Sequence, residues 1–236
     1  MSPTDAMGPF EAFYVSAWQH PGLLWFANAL GLGLILTHRG SAAPSAIRWA
    51  LMWVGISAID AWLSANHVFG LGALPGFAAS IIPFCLVLLG DVRVLWAADH
   101  AARHGDDSGQ APALALLPRA VAFGFLAPIV SWLATNPLRL VWPAHWDGLR
   151  TLFLTYELTF FGLVLVRRAG AWSHSPAAVR MANMAMLYYG LWITADLVIL
   201  NSSGGLRDAG FALRVVPNVL YYGFCVPVLF AGLRRS

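Results

Sequence analysis

LFLTYELTFFGLVLVRRAGAWSHSPAAVRMANMAMLYYGLWITADLVIL, residues 152–200, decides the fold. It holds two apolar runs parted by a short polar hinge, RRAGAWSHSP at 167–176. Each run has about the 20 residues a helix needs to cross a hydrocarbon core, and the hinge suits a tight turn between neighbouring helices. The same punctuation recurs along the chain. Apolar runs bounded by Arg, Pro, Gly or Asp fall at 21–37, 46–66, 74–96, 116–135, 149–167, 179–200 and 210–233. Composition agrees, since 59% of the residues are hydrophobic and 11% charged, where a soluble domain carries about 25% charge. The reading is an all-α polytopic membrane protein with seven transmembrane helices, forming a single transmembrane domain over 1–236.

All 14 basic residues are Arg. With an outside N-terminus, ten of them fall on the inner side: Arg39, Arg48, Arg93, Arg103, Arg119, Arg167, Arg168, Arg180, Arg234 and Arg235. Arg139, Arg150, Arg207 and Arg214 fall on the outer side. Positive charge accumulates on the cytoplasmic face, which predicts the N-terminus outside and the C-terminus inside. The expected location is integral to a membrane, a bacterial inner (plasma) membrane. The 14-residue stretch HAARHGDDSGQAPA (100–113) reads as a solvated cytoplasmic loop.

Several function classes drop out. A chain without Lys cannot form a retinal Schiff base. Arg residues scattered at helix ends do not make a nucleic-acid surface. No Cys/His cluster, HxxxH pair or Gly-rich phosphate loop is present, so no metal and no cofactor are expected. Cys85 and Cys225 both sit in apolar runs and read as small hydrophobes rather than a bridge. Residues 1–20 contain Asp5 and Glu11 but no basic n-region, so no cleavable signal peptide is expected. Expected partners are membrane lipids and an apolar small-molecule or lipid ligand; the sequence leaves the oligomeric state open.

Short matches suggest an internal repeat. LILTHRGS (34–41) followed by PSAIR (44–48) is echoed by LVLVRRAG (163–170) followed by PAAVR (176–180). GFAASIIP (76–83) is echoed by GFALRVVP (210–217). The halves would be about 21–96 and 149–233, with 116–135 as connector helix and Pro83 and Pro217 at equivalent bends. This is the three-plus-one-plus-three plan of SWEET-like carriers, whose ligand site lies between the halves near mid-membrane.

Ionisable side chains inside a bilayer cost several kcal/mol and mark candidate sites. Asp60 (ISAIDAWLS), Glu157 (LTYELTFF) and Asp196 (WITADLVIL) are the candidate catalytic acids. Asp91 and Arg93 (LLGDVRVLW) close helix 3 at the inner face, where the pair reads as interfacial and dispensable for turnover. Arg214 and Asn218 (LRVVPNVLYYGF) open helix 7, and Trp53, Trp62, Trp192 and Tyr222 share helices with the acids. Together these six form the candidate substrate-binding set. Trp18, Trp25, Trp142 and Trp146 read as interfacial belts, and His67 as a surface residue.

Acids among aromatic faces can supply a proton and then stabilise the resulting cation. The segment 152–190 resembles the small seven-helix membrane-bound terpene cyclases of meroterpenoid biosynthesis, in which a Phe-Glu-Leu helix leads through an Arg-Gly-Ser loop to the next helix. ALGLGL (29–34) and AIDAW (58–62) fit more loosely. The resemblance implies proton-initiated cyclisation of an isoprenoid, with Asp60 in the place of the family's helix-2 Glu. The family's helix-7 Asp is matched by Asn218, which cannot donate a proton, so Asp196 or Glu157 would supply the second acid. A small-solute or lipid carrier with Asp60, Asp196 and Asn218 along a polar path is the alternative. A receptor-like or assembly protein is a further one.

Overall fold

A computed structural model describes residues 7–19, 21–65, 74–104, 112–141 and 148–233. Among them every regular element is helical. A short helix α1 (Pro9–Tyr14) precedes α2 (Gly22–Thr37), α3 (Pro44–Ala65) and α4 (Gly76–His104). A 3-10 turn at Leu114–Leu116 leads into α5 (Leu117–Gly124) and α6 (Leu126–Val141), parted at Phe125. Then come α7 (Gly148–Ala169), α8 (Pro176–Asn201), α9 (Gly204–Asn218), a π turn (Val219–Phe224) and α10 (Cys225–Leu233).

By length and composition, four helical stretches among the described residues can cross a membrane: 44–65, 114–141, 176–201 and 204–231. Gly22–Thr37 is apolar but shorter. The predicted run at 74–96 needs a correction. Its helix continues eight residues further, to His104, because Asp99 and His100 are buried against other helices rather than exposed in a loop. Only 105–111 of that predicted loop lies outside the described residues, as do His67, Trp142, Trp146, Arg234 and Arg235.

Local sequence sets the joints. Ser175 caps α8, its hydroxyl accepting from the Ala178 amide at 3.3 Å, with Pro176 preset for the first turn. Gly204 turns α8 into α9 at φ +55°, the one left-handed residue among those described. Pro217 inside α9 lacks an amide proton, and the π turn that follows widens the helix by a residue.

The α4, α7, α8 and α9 helices pack about a polar interior arranged in three layers. At the end where α7 begins, Asp196, Glu157, Arg150 and Arg214 cluster. In the middle, Asp91 accepts from Tyr156 and Tyr189. At the far end, Asp99 accepts from Arg167 and from Trp172 Nε1 (2.8 Å), with Arg119 Nε 3.5 Å away. Elsewhere the outer faces are apolar: on α6, Ile129, Trp132 and Leu133 are all exposed, as lipid contact would require.

The α8 and α9 helices lie side by side, and α10 packs against α3, α4 and α8. Pro83 falls inside α4, its side chain not among those described.

Candidate functional site

Helical periodicity places residues three, four and seven apart on one face. Arg150, Phe153 and Glu157 form such a stripe on α7, with Tyr156 beside it. Tyr189, Trp192 and Asp196 form one on α8, and Arg214, Asn218 and Tyr221 one running from α9 into the π turn. The three stripes face one another, and all but Asp196 line a cavity of about 400 Å³. Tyr222, Val87, Tyr14 and Gln19 complete its wall.

The polar end of this cavity is an ion cluster. Asp196, fully buried, takes Arg150 at 3.0 Å and Arg214. Arg214 also donates to Glu157 Oε1 at 3.3 Å and to the Tyr14 hydroxyl at 2.8 Å. Two guanidiniums thus meet two carboxyl groups at this end. The set is unevenly satisfied. Glu157 Oε2 is buried with no hydrogen-bond partner among the described residues, and so is Gln19 Nε2. Such groups are rare and mark places where a ligand or water completes the bonding.

Much of the remaining lining is aromatic. Trp192 packs on Tyr188, Tyr189 and Tyr221 with centroids 5.1–5.4 Å apart, and its Nε1 donates to Asn218 Oδ1 at 2.8 Å. Ring faces carry negative quadrupole charge and favour a nearby cation. Tyr221 is seated by a notch at Gly90, where it reaches past the α4 backbone to donate to the Val87 carbonyl at 3.0 Å. Its own carbonyl receives Arg93 at 2.8 Å.

The sequence candidates divide. Glu157, Trp192, Arg214, Asn218 and Tyr222 line the cavity, and Asp196 stands directly behind Arg214 and Arg150. Asp60 and Trp53 do not join them. They line a separate pocket of about 20 Å³ with Arg93, Tyr221 and Tyr222, room for about one water. Asp60 accepts from Ser64 at 3.3 Å and is not brought to Asp196. Trp62 is 45% exposed on the outer side of α3. Positions 60 and 62 are about 200° apart around a helix, so the two side chains diverge. Asp91 is also corrected: it is fully buried in mid-helix, held by two tyrosines, while Arg93 turns to a carbonyl.

Tyr156, Arg150, Tyr14 and Gln19 were missed, whereas Tyr189 is one of the aromatics that share a helix with Asp196. The signal for Arg150 was present in the spacing, since it lies on one stripe with Glu157, while Tyr156 lies beside that stripe. Among the described residues no three His, Cys, Asp or Glu side chains are placed to share a metal ion. Cys85 is exposed and Cys225 buried, both as free thiols. The chain matches no protein-family model, no curated protein and no solved structure.

Proposed function

We propose that this chain is an integral-membrane enzyme that cyclises an apolar isoprenoid, with Glu157 as the acid that starts the reaction. Seven transmembrane helices, with the N-terminus outside and the C-terminus inside a bacterial inner membrane, form the frame of this reading. One observation carries it: a buried carboxyl oxygen without a partner borders a cavity lined in large part by aromatic rings. At about 400 Å³ the cavity falls in the range of small-molecule sites. The pocket at Asp60 is far too small for an isoprenoid.

The proposed chemistry uses the two ends of the cavity differently. With Oε1 accepting from Arg214, a protonated Oε2 presents its hydrogen to an epoxide oxygen or alkene carbon. The electron deficit then moves along the chain of the substrate toward the rings of Trp192, Tyr189 and Tyr221. Each well-placed ring stabilises a cation by roughly 0.5–2 kcal/mol. Asp196 keeps Arg150 and Arg214 in place, so the guanidinium beside Glu157 stays fixed as charge moves.

The test is product formation from a panel of prenylated epoxides and polyprenyl alkenes by the purified protein in liposomes. Wild type should yield cyclic products, Glu157→Gln none, and Asp60→Asn a near-normal amount. Activity lost in Asp60→Asn and kept in Glu157→Gln returns the role of acid to Asp60.

A carrier is the second reading, favoured by the Pro217 break and π turn beside the cavity, where a helix can bend. No product from any substrate, together with uptake of a small solute into the same liposomes, selects it.

A further inference from the structure

Asp91 is a buried acid that the proposed chemistry leaves unused. Its surroundings differ in kind from those of the other buried acids on this bundle. Asp196 and Asp99 each face two guanidiniums. Asp91 is held by phenols, Tyr156 on Oδ2 and Tyr189 on Oδ1. Arg93, two positions along α4, donates to the Tyr221 carbonyl. Both phenols also line the cavity. A hydroxyl that donates its hydrogen keeps its lone pairs as acceptors, and donation to a carboxylate draws the proton outward and enriches that oxygen. Two tyrosines that border the cavity therefore carry phenolic oxygens primed as proton acceptors, with a carboxylate behind them.

Position adds a second argument. Tyr156 follows its own direction from α7, about 100° around the helix from Glu157. One helix thus carries the proposed acid toward the guanidinium end and a phenol toward Asp91. An acid and a base separated in this way act at different ends of one substrate without neutralising each other.

We propose that Tyr156, Tyr189 and Asp91 form the proton acceptor that ends the cyclisation, a role that rests on the cyclase reading above. The C–H bond next to the cationic carbon breaks, and its electron pair becomes the new C=C bond. The proton lands on a phenolic oxygen as that phenol's own proton passes to the Asp91 carboxylate. Glu157, left as a carboxylate by the first step, recovers one proton from Asp91 through water that enters when the product leaves. The reaction is an isomerisation, with no net proton, oxidant or reductant consumed.

The experiment uses the full chain in liposomes and a prenylated epoxide that the wild type converts. Mass spectrometry separates total conversion from the ratio of alkene product, formed by deprotonation, to alcohol, formed when water captures the cation. Asp91→Asn should retain substrate consumption while the alkene-to-alcohol ratio falls on the order of a hundredfold, the lower end of general-base contributions. Tyr156→Phe and Tyr189→Phe each leave one phenol on Asp91 and should shift the ratio part of the way. These two carry the test if Asp91→Asn does not fold. An unchanged ratio in the folded variants, beside an active wild type, overturns the acceptor role and leaves the cyclase reading standing. A wild type that converts no substrate overturns both.

Discussion

Gly90→Ala is the most sharply defined perturbation in this fold. A Cβ at position 90 would lie 1.6 Å from Tyr221 Oη and 2.5 Å from its Cζ. Ordinary contact needs about 3.5–4.0 Å, so the ring must retreat by roughly 2 Å. That retreat breaks the 3.0 Å bond from Tyr221 Oη to the Val87 carbonyl, leaving a buried donor unpaired at a cost of about 1–3 kcal/mol. Overpacking adds about 1–3 kcal/mol. Against this, Ala in place of Gly favours a helix by about 1 kcal/mol. The net loss is about 1–5 kcal/mol, so sterics outweigh propensity. Tyr221→Phe removes the nearest atom but not Cζ, so the double variant should be less unstable than the sum of the singles, a coupling within about 0.5–3 kcal/mol. Thermal unfolding in detergent, followed by tryptophan fluorescence, reads each corner of the cycle. A Gly90→Ala protein as stable as wild type, or strictly additive losses, refutes the notch argument.

Three further outcomes follow from other parts of the molecule. Asp99→Asn strands Arg167 in the interior and should cost about 3–5 kcal/mol, whereas replacing both residues by apolar ones of similar size should recover most of it in the same unfolding assay. Gly8→Ala would set a Cβ 2.3 Å from the Asp208 carboxyl, so α1 should lift from α9 and residues 8–14 become cut faster in limited proteolysis; unchanged cutting counts against that contact. Asp106→Cys should stay unlabelled by an impermeant thiol reagent in intact cells, as a cytoplasmic loop requires, and labelling would reverse the orientation.

The helical class was legible because apolar runs with polar punctuation follow directly from bilayer thickness, and four helical stretches among the described residues have the length and composition to cross one. The ends of the helices were less so. Asp99, His100 and Arg103 look like the start of a loop, yet the first two are buried against other helices, and nothing local announces a partner 68 residues away such as Arg167. That error placed Asp91 at an interface and hid the phenol pair. Arg150 was counted only as an outer-face charge, yet it folds inward onto Asp196, where Arg214 joins it. Glu157, Asp196, Arg214 and Asn218 stood out because an ionisable or amide group in an apolar run is conspicuous by itself, and Trp192 because it shares a helix with Asp196. The pairing of Tyr156 and Tyr189 with Asp91 did not, since a tyrosine in a membrane helix is ordinary until its hydroxyl is seen to meet an acid.

The short α1 helix gives the cavity a history as well as a shape. Tyr14 reaches Arg214 across 200 residues of sequence, Glu11 reaches Arg207 across 196, and the Glu11 amide reaches Asp208 across 197. During synthesis, the wall segment at Tyr14 therefore emerges 200 residues before its counterpart Arg214. A nascent chain released before α9 would leave Arg150, Glu157 and Asp196 without Arg214, three charges that a bilayer tolerates badly. Quality-control proteases that sense exposed charge within the membrane would see a clear difference between that state and one in which the first helix has closed on the ninth.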